Sequence, residues 1–251
     1  MSSEVFNIYK KQGQTPLSCI KELKKAHPEL SSLPMTYAGR LDPLAEGVLL
    51  VLTGDECYKK DEYLSLPKEY EVEILFGLTT DTYDLMGKVL EHQVVPKELI
   101  SRNNIKNIIP TFIGKIKQLY PPYSSRTVNG KPLFKWAKEG RLSEIDIPAH
   151  NVFVDSIDIL GEKEYTGKDL LEETKKVIGK VEGDFRQEEI LTLWENELKD
   201  KDNEKYYTIT LKISCGSGFY ARVLAYDLGQ KIGCPSIAFR IIRTKVGGYS
   251  S

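Results

Sequence analysis

From Val48 to Leu52 the chain carries an unbroken aliphatic run, closed off by Gly47 on one side and Thr53-Gly54 on the other. A short aliphatic run between glycines reads as a buried strand, so a core has to be built around it. It is also part of the longest apolar stretch, Gly47 to Leu52, which is far too short to cross a bilayer. Directly before it, Pro34 to Glu46 reads as a loop. That loop holds Arg40-Leu41-Asp42-Pro43 between Gly39 and Gly47.

The rest of the pattern predicts a mixture of helices and strands. Thr15-Pro16 is a helix start, with Thr as cap and Pro in the first turn. Leu17, Ile20 and Leu23 follow at helical spacing, and the helix ends before Pro28. Lys68 to Phe76 alternates, with Tyr70, Val72, Ile74 and Phe76 on one side, and predicts a strand with one face buried. Gly77 to Gly87 is a polar loop. Asn129-Gly130 marks a tight turn, followed by a helix from about Pro132 to Glu139. Asn151 to Leu160, Tyr206 to Ile213 and Pro235 to Val246 read as strands. Lys168 to Ile178 and Gln187 to Leu198 read as surface helices, and Phe219 to Ile232 as a helix with Leu224, Leu228 and Ile232 on one stripe. The class is α+β with a mixed, mainly antiparallel sheet.

Composition narrows the function little. The 251 residues carry a net charge of −1, which by itself does not point to nucleic acid. The charge is unevenly placed, however. Between Lys115 and Arg141 the only acid is Glu139, whereas acids outnumber bases from Glu162 to Asp202. The N-terminal residues lack the basic-then-apolar pattern of a secretory leader, so the cytoplasm is the expected location. Cys19, Cys57, Cys215 and Cys234 form no Cys-x-x-Cys pair and read as free thiols. His27, His92 and His150 are scattered, and no metal site is expected.

Asp42 stands out chemically. A carboxylate in a loop stiffened by proline, at the edge of a core, can serve as a nucleophile. Taken alone, Asp-Pro reads first as a turn element that bonds its own backbone. Further motifs decide between these. Tyr37-Ala-Gly-Arg-Leu-Asp-Pro-Leu-Ala-Glu-Gly47 resembles the catalytic motif of the TruB-type tRNA pseudouridine synthases. Lys68-Glu-Tyr70, leading to Gly77 and Thr80-Asp81-Thr82, resembles their second motif. Cys215-Gly-Ser-Gly-Phe-Tyr-Ala-Arg222, with Asp227-Leu-Gly229, is similar to the third. Arg240 to Gly247 resembles the strand that closes the catalytic domain. Phe112 to Gly140 is similar to the segment with which these enzymes grip RNA.

The resemblance implies a pseudouridine synthase fold, with residues 1–158 and 205–251 as the catalytic domain. It implies isomerisation of a uridine to pseudouridine, uridine 55 of the tRNA T-loop being the expected target, with no cofactor. Asp42 is then the nucleophile, Tyr70 the residue that stacks on the flipped base, and Arg222 the partner of the aspartate. Tyr37, Arg40, Lys68, Lys131 and Ile241 are the expected substrate contacts. The partner is tRNA, through its T-loop and stem. No protein partner is implied, and a monomer is expected. Without the resemblance, Tyr70 reads as a core tyrosine on an alternating strand and Arg222 as a surface arginine.

Three departures accompany the resemblance. Tyr37 stands where the family has a histidine that helps seat the RNA. The chain stops at Ser251, so the C-terminal RNA-binding domain of many relatives is expected to be absent. Residues 159–204 are extra, and are expected to form a helical, acidic insertion. Two rival readings remain open: the same chemistry on another RNA, and an RNA-binding or folding protein of this fold without catalysis.

Overall fold

The computed structural model describes residues 3–251. In chain order the elements are β1 (Val5–Lys10), α1 (Pro16–Ala26), β2 (Met35–Ala38), β3 (Glu46–Thr53), α2 (Lys60–Ser65), β4 (Lys68–Phe76), β5 (Leu78–Thr80) and β6 (Val89–His92). Then come α3 (Arg102–Ile108), β7 (Gly114–Leu119), β8 (Thr127–Val128), β9 (Lys131–Pro132), α4 (Leu133–Lys138) and β10 (Ala149–Thr166). The chain closes with α5 (Gly167–Ile178), α6 (Gln187–Leu198), β11 (Lys205–Cys215), α7 (Ala221–Ile232), β12 (Ser236–Val246) and β13 (Tyr249–Ser250).

The main sheet runs β1-β3-β12-β4-β11-β10-β7, with β2 beside β3 and β13 beside β12. Only the β3–β12 pairing is parallel. The sheet is therefore mixed and mainly antiparallel, as its sequence pattern predicts. The Val48–Leu52 run lies in β3 and is completely buried.

The caps explain where the helices start. Thr15 accepts a hydrogen bond from Ser18 N, and the Ser18 side chain returns one from Thr15 N. Thr166 and Asp169 make the same exchange at the start of α5. At the other end of a helix, Gly233 ends α7 at φ 87°, a conformation that suits glycine.

Strand β4 differs from its expectation. One buried face is predicted, yet Glu73 and Leu75 on the other side are also buried. The reason is α5 and α6. Leu170, Ile178, Ile190 and Trp194 pack with Leu75, Ile237 and Phe239 in a second core. The first core, under α7, takes Tyr70, Val72, Ile74 and Phe76. Glu73 is tolerated because Tyr165 and Thr208 donate to its carboxylate, at 3.1 and 2.8 Å. The residues from Ile159 to Thr166 continue β10 and pair with β11, before α5 begins.

Short elements escaped the pattern. The Pro34–Glu46 loop contains β2, and the polar loop after Gly77 opens with β5. Such strands are too short to show a period, and they form because β3 and β6 offer a partner edge. All four cysteines are free thiols. No helix among the described residues is long and apolar enough to cross a membrane.

Candidate active site

Asp42 sits at the turn between β2 and β3. Two buried cations hold that turn by its carbonyl groups. Lys10 donates to Ala45 O at 2.5 Å and to Pro43 O at 3.2 Å. Arg243 donates to Gly39 O at 3.0 Å and to Val48 O at 2.8 Å. Gly13 N adds a bond to Pro43 O at 2.8 Å. Gly47, at φ 111°, lets the loop enter β3 against β12, where an added Cβ would lie 2.2 Å from Arg243 O. Burial pushes the Lys10 ammonium down to about 8.

The Asp42 carboxylate meets Arg222 from the first turn of α7. Arg222 Nε donates to Asp42 Oδ2 at 2.8 Å, and Nη1 donates to Thr82 O at 2.7 Å. Arg222 is almost wholly buried, while a third of the Asp42 side chain faces the cavity. A second carboxylate, Asp84, approaches the same guanidinium at 3.7 Å. Asp84 Oδ1 accepts from Thr82 Oγ1 at 2.6 Å and from Met86 N at 2.9 Å. Burial raises the Asp84 carboxyl above the usual carboxylate range, against the pull of Arg222 and Thr82. Burial also works against the Arg222 charge, but Asp42 and Asp84 reverse the effect and hold its pKa above the ordinary value. The arginine is thus a fixed cation with one fully buried and one partly open acid.

These groups line a cavity of about 660 Å³, together with Tyr70 and Ile241. Tyr70 is nearly buried, its ring tilted against Phe219 with centroids 6.1 Å apart. Burial raises its phenol pKa, so it stays neutral near pH 7. Ile241 lies opposite Val72 in the β12–β4 register. The cavity thus sets the Asp42–Arg222 pair near an apolar side made of Tyr70, Phe219 and Ile241, a surface that suits a planar ring.

The remaining sequence-predicted contacts divide. Tyr37 and Arg40 line the cavity, with Arg40 Nη2 donating to the Tyr37 hydroxyl at 3.2 Å. Lys68 also lines it but is buried, and its ammonium donates to Leu64 O and Leu66 O at the end of α2, at 2.6 and 2.5 Å. It therefore braces β4 and is no exposed edge lysine. Lys131 is not among the cavity residues; it pairs with Glu139 and lies 4.0 Å from the Trp136 ring centroid. No cluster of metal-ligating residues occurs among the described residues.

Asp84, Lys10 and Arg243 were not singled out by sequence. Arg243 was readable: two residues after Ile241, it falls on the same face of β12. Asp84 had no local signal among the hydroxyls and acids of its loop. Lys10 ends a strand that pairs with β3, which its own six residues scarcely announce.

The TruB family pseudouridylate synthase N-terminal domain matches residues 30–170. The chain belongs to the TruB family. Curated members include the tRNA pseudouridine synthase B of Nostoc sp., 32% identical over 97% of this chain and 67% of that one. The enzyme of the same name from Limosilactobacillus reuteri is 28% identical over 98% of this chain and 68% of its own. The TruB fold is also shared with the solved Cbf5-Nop10-Gar1 complex, at TM-score 0.60 and 16% identity. An H/ACA RNP bound to a substrate RNA containing 2′-deoxyuridine matches at TM-score 0.55 and 17% identity. This chain spans about two thirds of the curated relatives and about half of these solved chains, namely 50% and 48%.

Proposed function

We propose that this protein carries out the reaction of its family, the isomerisation of uridine to pseudouridine in tRNA, with Asp42 as the nucleophile and uridine 55 of the T-loop as the target. The pairing of Asp42 with Arg222, in a cavity that also holds Tyr70 and Ile241, carries the reading. Desolvation opposes a charged carboxylate, and a buried guanidinium offsets that cost while fixing the direction of attack.

The reaction rearranges one nucleotide without loss of atoms. The N1–C1′ bond breaks, the base turns, and a C5–C1′ bond forms. The proton on C5 leaves and N1 gains one. The target base must first leave its stack, because neither ring nor sugar carbon is reachable within folded RNA. Tyr70 and Ile241 supply the apolar surface on which the flipped ring lies, and Tyr70 relays the final proton in this reading. Tyr37 and Arg40 form the rim and Lys68 supports β4. The basic stretch from Lys115 to Arg141, Lys131 included, carries the phosphates. In this reading tRNA is the macromolecular partner, and the protein works alone in the cytoplasm. Residues 1–158 and 205–251 form the catalytic module, and 159–204 elaborate it.

The test is incubation with an unmodified tRNA transcript, followed by chemical mapping of pseudouridine. Product at position 55 is expected. No product, or product only elsewhere, would remove the assignment.

A further inference from the structure

One wall of the cavity comes from the connection between α5 and α6. Asp184, Phe185 and Arg186 line the same cavity as Asp42 and Arg222. This connection is joined to the catalytic turn through the main chain. Glu182 N donates to Gly13 O at 2.9 Å, and Gly13 N donates to Pro43 O at 2.8 Å, one residue from Asp42. Gly13 is required there: at φ 94° an added Cβ would lie 2.1 Å from Lys180 O.

The turn is also fixed internally. Gln187 donates to Val181 O and Gly183 O at 3.0 and 2.6 Å, and accepts from Phe185 N at 2.8 Å. Asp184 Oδ1 accepts from Arg186 N at 3.3 Å. Arg186 is held at φ 66°, a left-handed conformation that disfavours residues with a side chain. Its guanidinium lies 5.1 Å from the Tyr123 ring centroid and 3.9 Å from Asp81 Oδ2, while the Tyr123 hydroxyl donates to the same Asp81 oxygen at 3.0 Å. One distant acid does not use up five N–H donors. Phe185 leaves 38% of its surface exposed beside the opening, where water is a poor neighbour for an aromatic ring.

We propose that the α5–α6 turn is an RNA-contacting jaw. Phe185 stacks on an unpaired base beside the target nucleotide, and Arg186 pairs with a backbone phosphate flanking it. An exposed aromatic and a guanidinium on a rigid turn match the two features of a single strand, the base face and the phosphate. Of the acids in the surrounding segment, Asp184 alone is among the cavity residues, and its Oδ1 is bonded to Arg186 N. The inference rests on the proposed function in taking RNA as the substrate.

The test uses a fluorescently labelled, unmodified tRNA transcript with the full-length protein. Equilibrium binding across a salt series and single-turnover pseudouridine formation are measured for the wild type, Phe185→Ala, Phe185→Trp and Arg186→Gln. Phe185→Ala is expected to weaken binding by about fivefold or more, with Phe185→Trp restoring it. Arg186→Gln is expected to weaken binding and to lower the slope of log affinity against log salt by about one. The melting temperature should stay near wild type in all three variants. Wild-type affinity and salt slope in Phe185→Ala and Arg186→Gln would overturn the jaw, even if the enzyme made pseudouridine. Weakened binding by these variants, with no pseudouridine from the wild type, would leave the jaw standing and remove the reaction. A wild type that does not bind the transcript would overturn both.

Discussion

Arg222 answers to two acids at once. Asp42 accepts a hydrogen bond from its Nε at 2.8 Å, and Asp84 stands 3.7 Å behind, with its pKa raised by burial. The arrangement gives the guanidinium to Asp42, because Asp84 is already satisfied by Thr82 and Met86. Replacing Asp42 by Asn keeps shape and hydrogen bonding but removes the proposed nucleophile. Turnover is expected to fall by about a thousandfold or more while tRNA binding survives, a separation that filter binding and product mapping on one preparation can check. Arg222→Lys keeps the charge but loses the planar fork that reaches Asp42 and Thr82 together. It is expected to cost about a hundredfold in kcat, and a single-turnover assay would detect it. Asp42, Tyr70 and Arg222 were legible only as parts of motifs. No spacing rule brings residues 180 positions apart to 2.8 Å. Asp84 and Lys10 stayed unread for a related reason: burial of a charge depends on what covers it, and the cover comes from other elements.

At the scale of elements, α6 supports the loop that holds Asp84. Trp194 is fully buried, and its indole N–H donates to Leu85 O at 3.2 Å. Trp194→Ala should lower stability by about 3–5 kcal/mol through the cavity it leaves, measured by denaturant unfolding. Trp194→Phe retains most of the packing but strands the Leu85 carbonyl, at about 1–3 kcal/mol. A second contrast concerns the basic stretch around α4. Lys138 lines the cavity, whereas Lys131 is engaged with Glu139 and Trp136. Lys138→Ala should therefore weaken tRNA binding more than Lys131→Ala, and equal losses in a titration at fixed salt would count against that placement. Long periodic elements were readable from sequence: β4 and α6 begin and end where the pattern places them. The second buried face of β4 was not, because it exists only once α5 and α6 fold over Leu75.

For the whole molecule, the buried lysines set a pH dependence. Burial brings the pKa of both Lys10 and Lys68 down to about 8, from an ordinary lysine value of about 10.4. The unfolded chain keeps those protons up to about pH 10.4, whereas the folded protein releases them from about pH 8. Between these values the unfolded state binds more protons, so stability rises with pH. Below about pH 8 both states are protonated, and the lysines add no slope. The gain between pH 8 and 10 should be on the order of 2 kcal/mol per lysine. Urea titrations at pH 8.0 and 9.5 should show it in the wild type and show less of it in Lys10→Met.

The cavity has consequences for assembly as well as for chemistry. In it Arg222 joins Asp42 and Thr82, and the turn beneath Asp42 hangs from Lys10 and Arg243 near opposite ends of the chain. A chain emerging from the ribosome has the aspartate long before it has the arginine. A partly folded molecule with intact strands and helices still lacks the Asp42–Arg222 pair. Loop closure over such separations is slow compared with helix formation. The Asp42–Arg222 pair thus forms only once the chain has folded as far as Arg222.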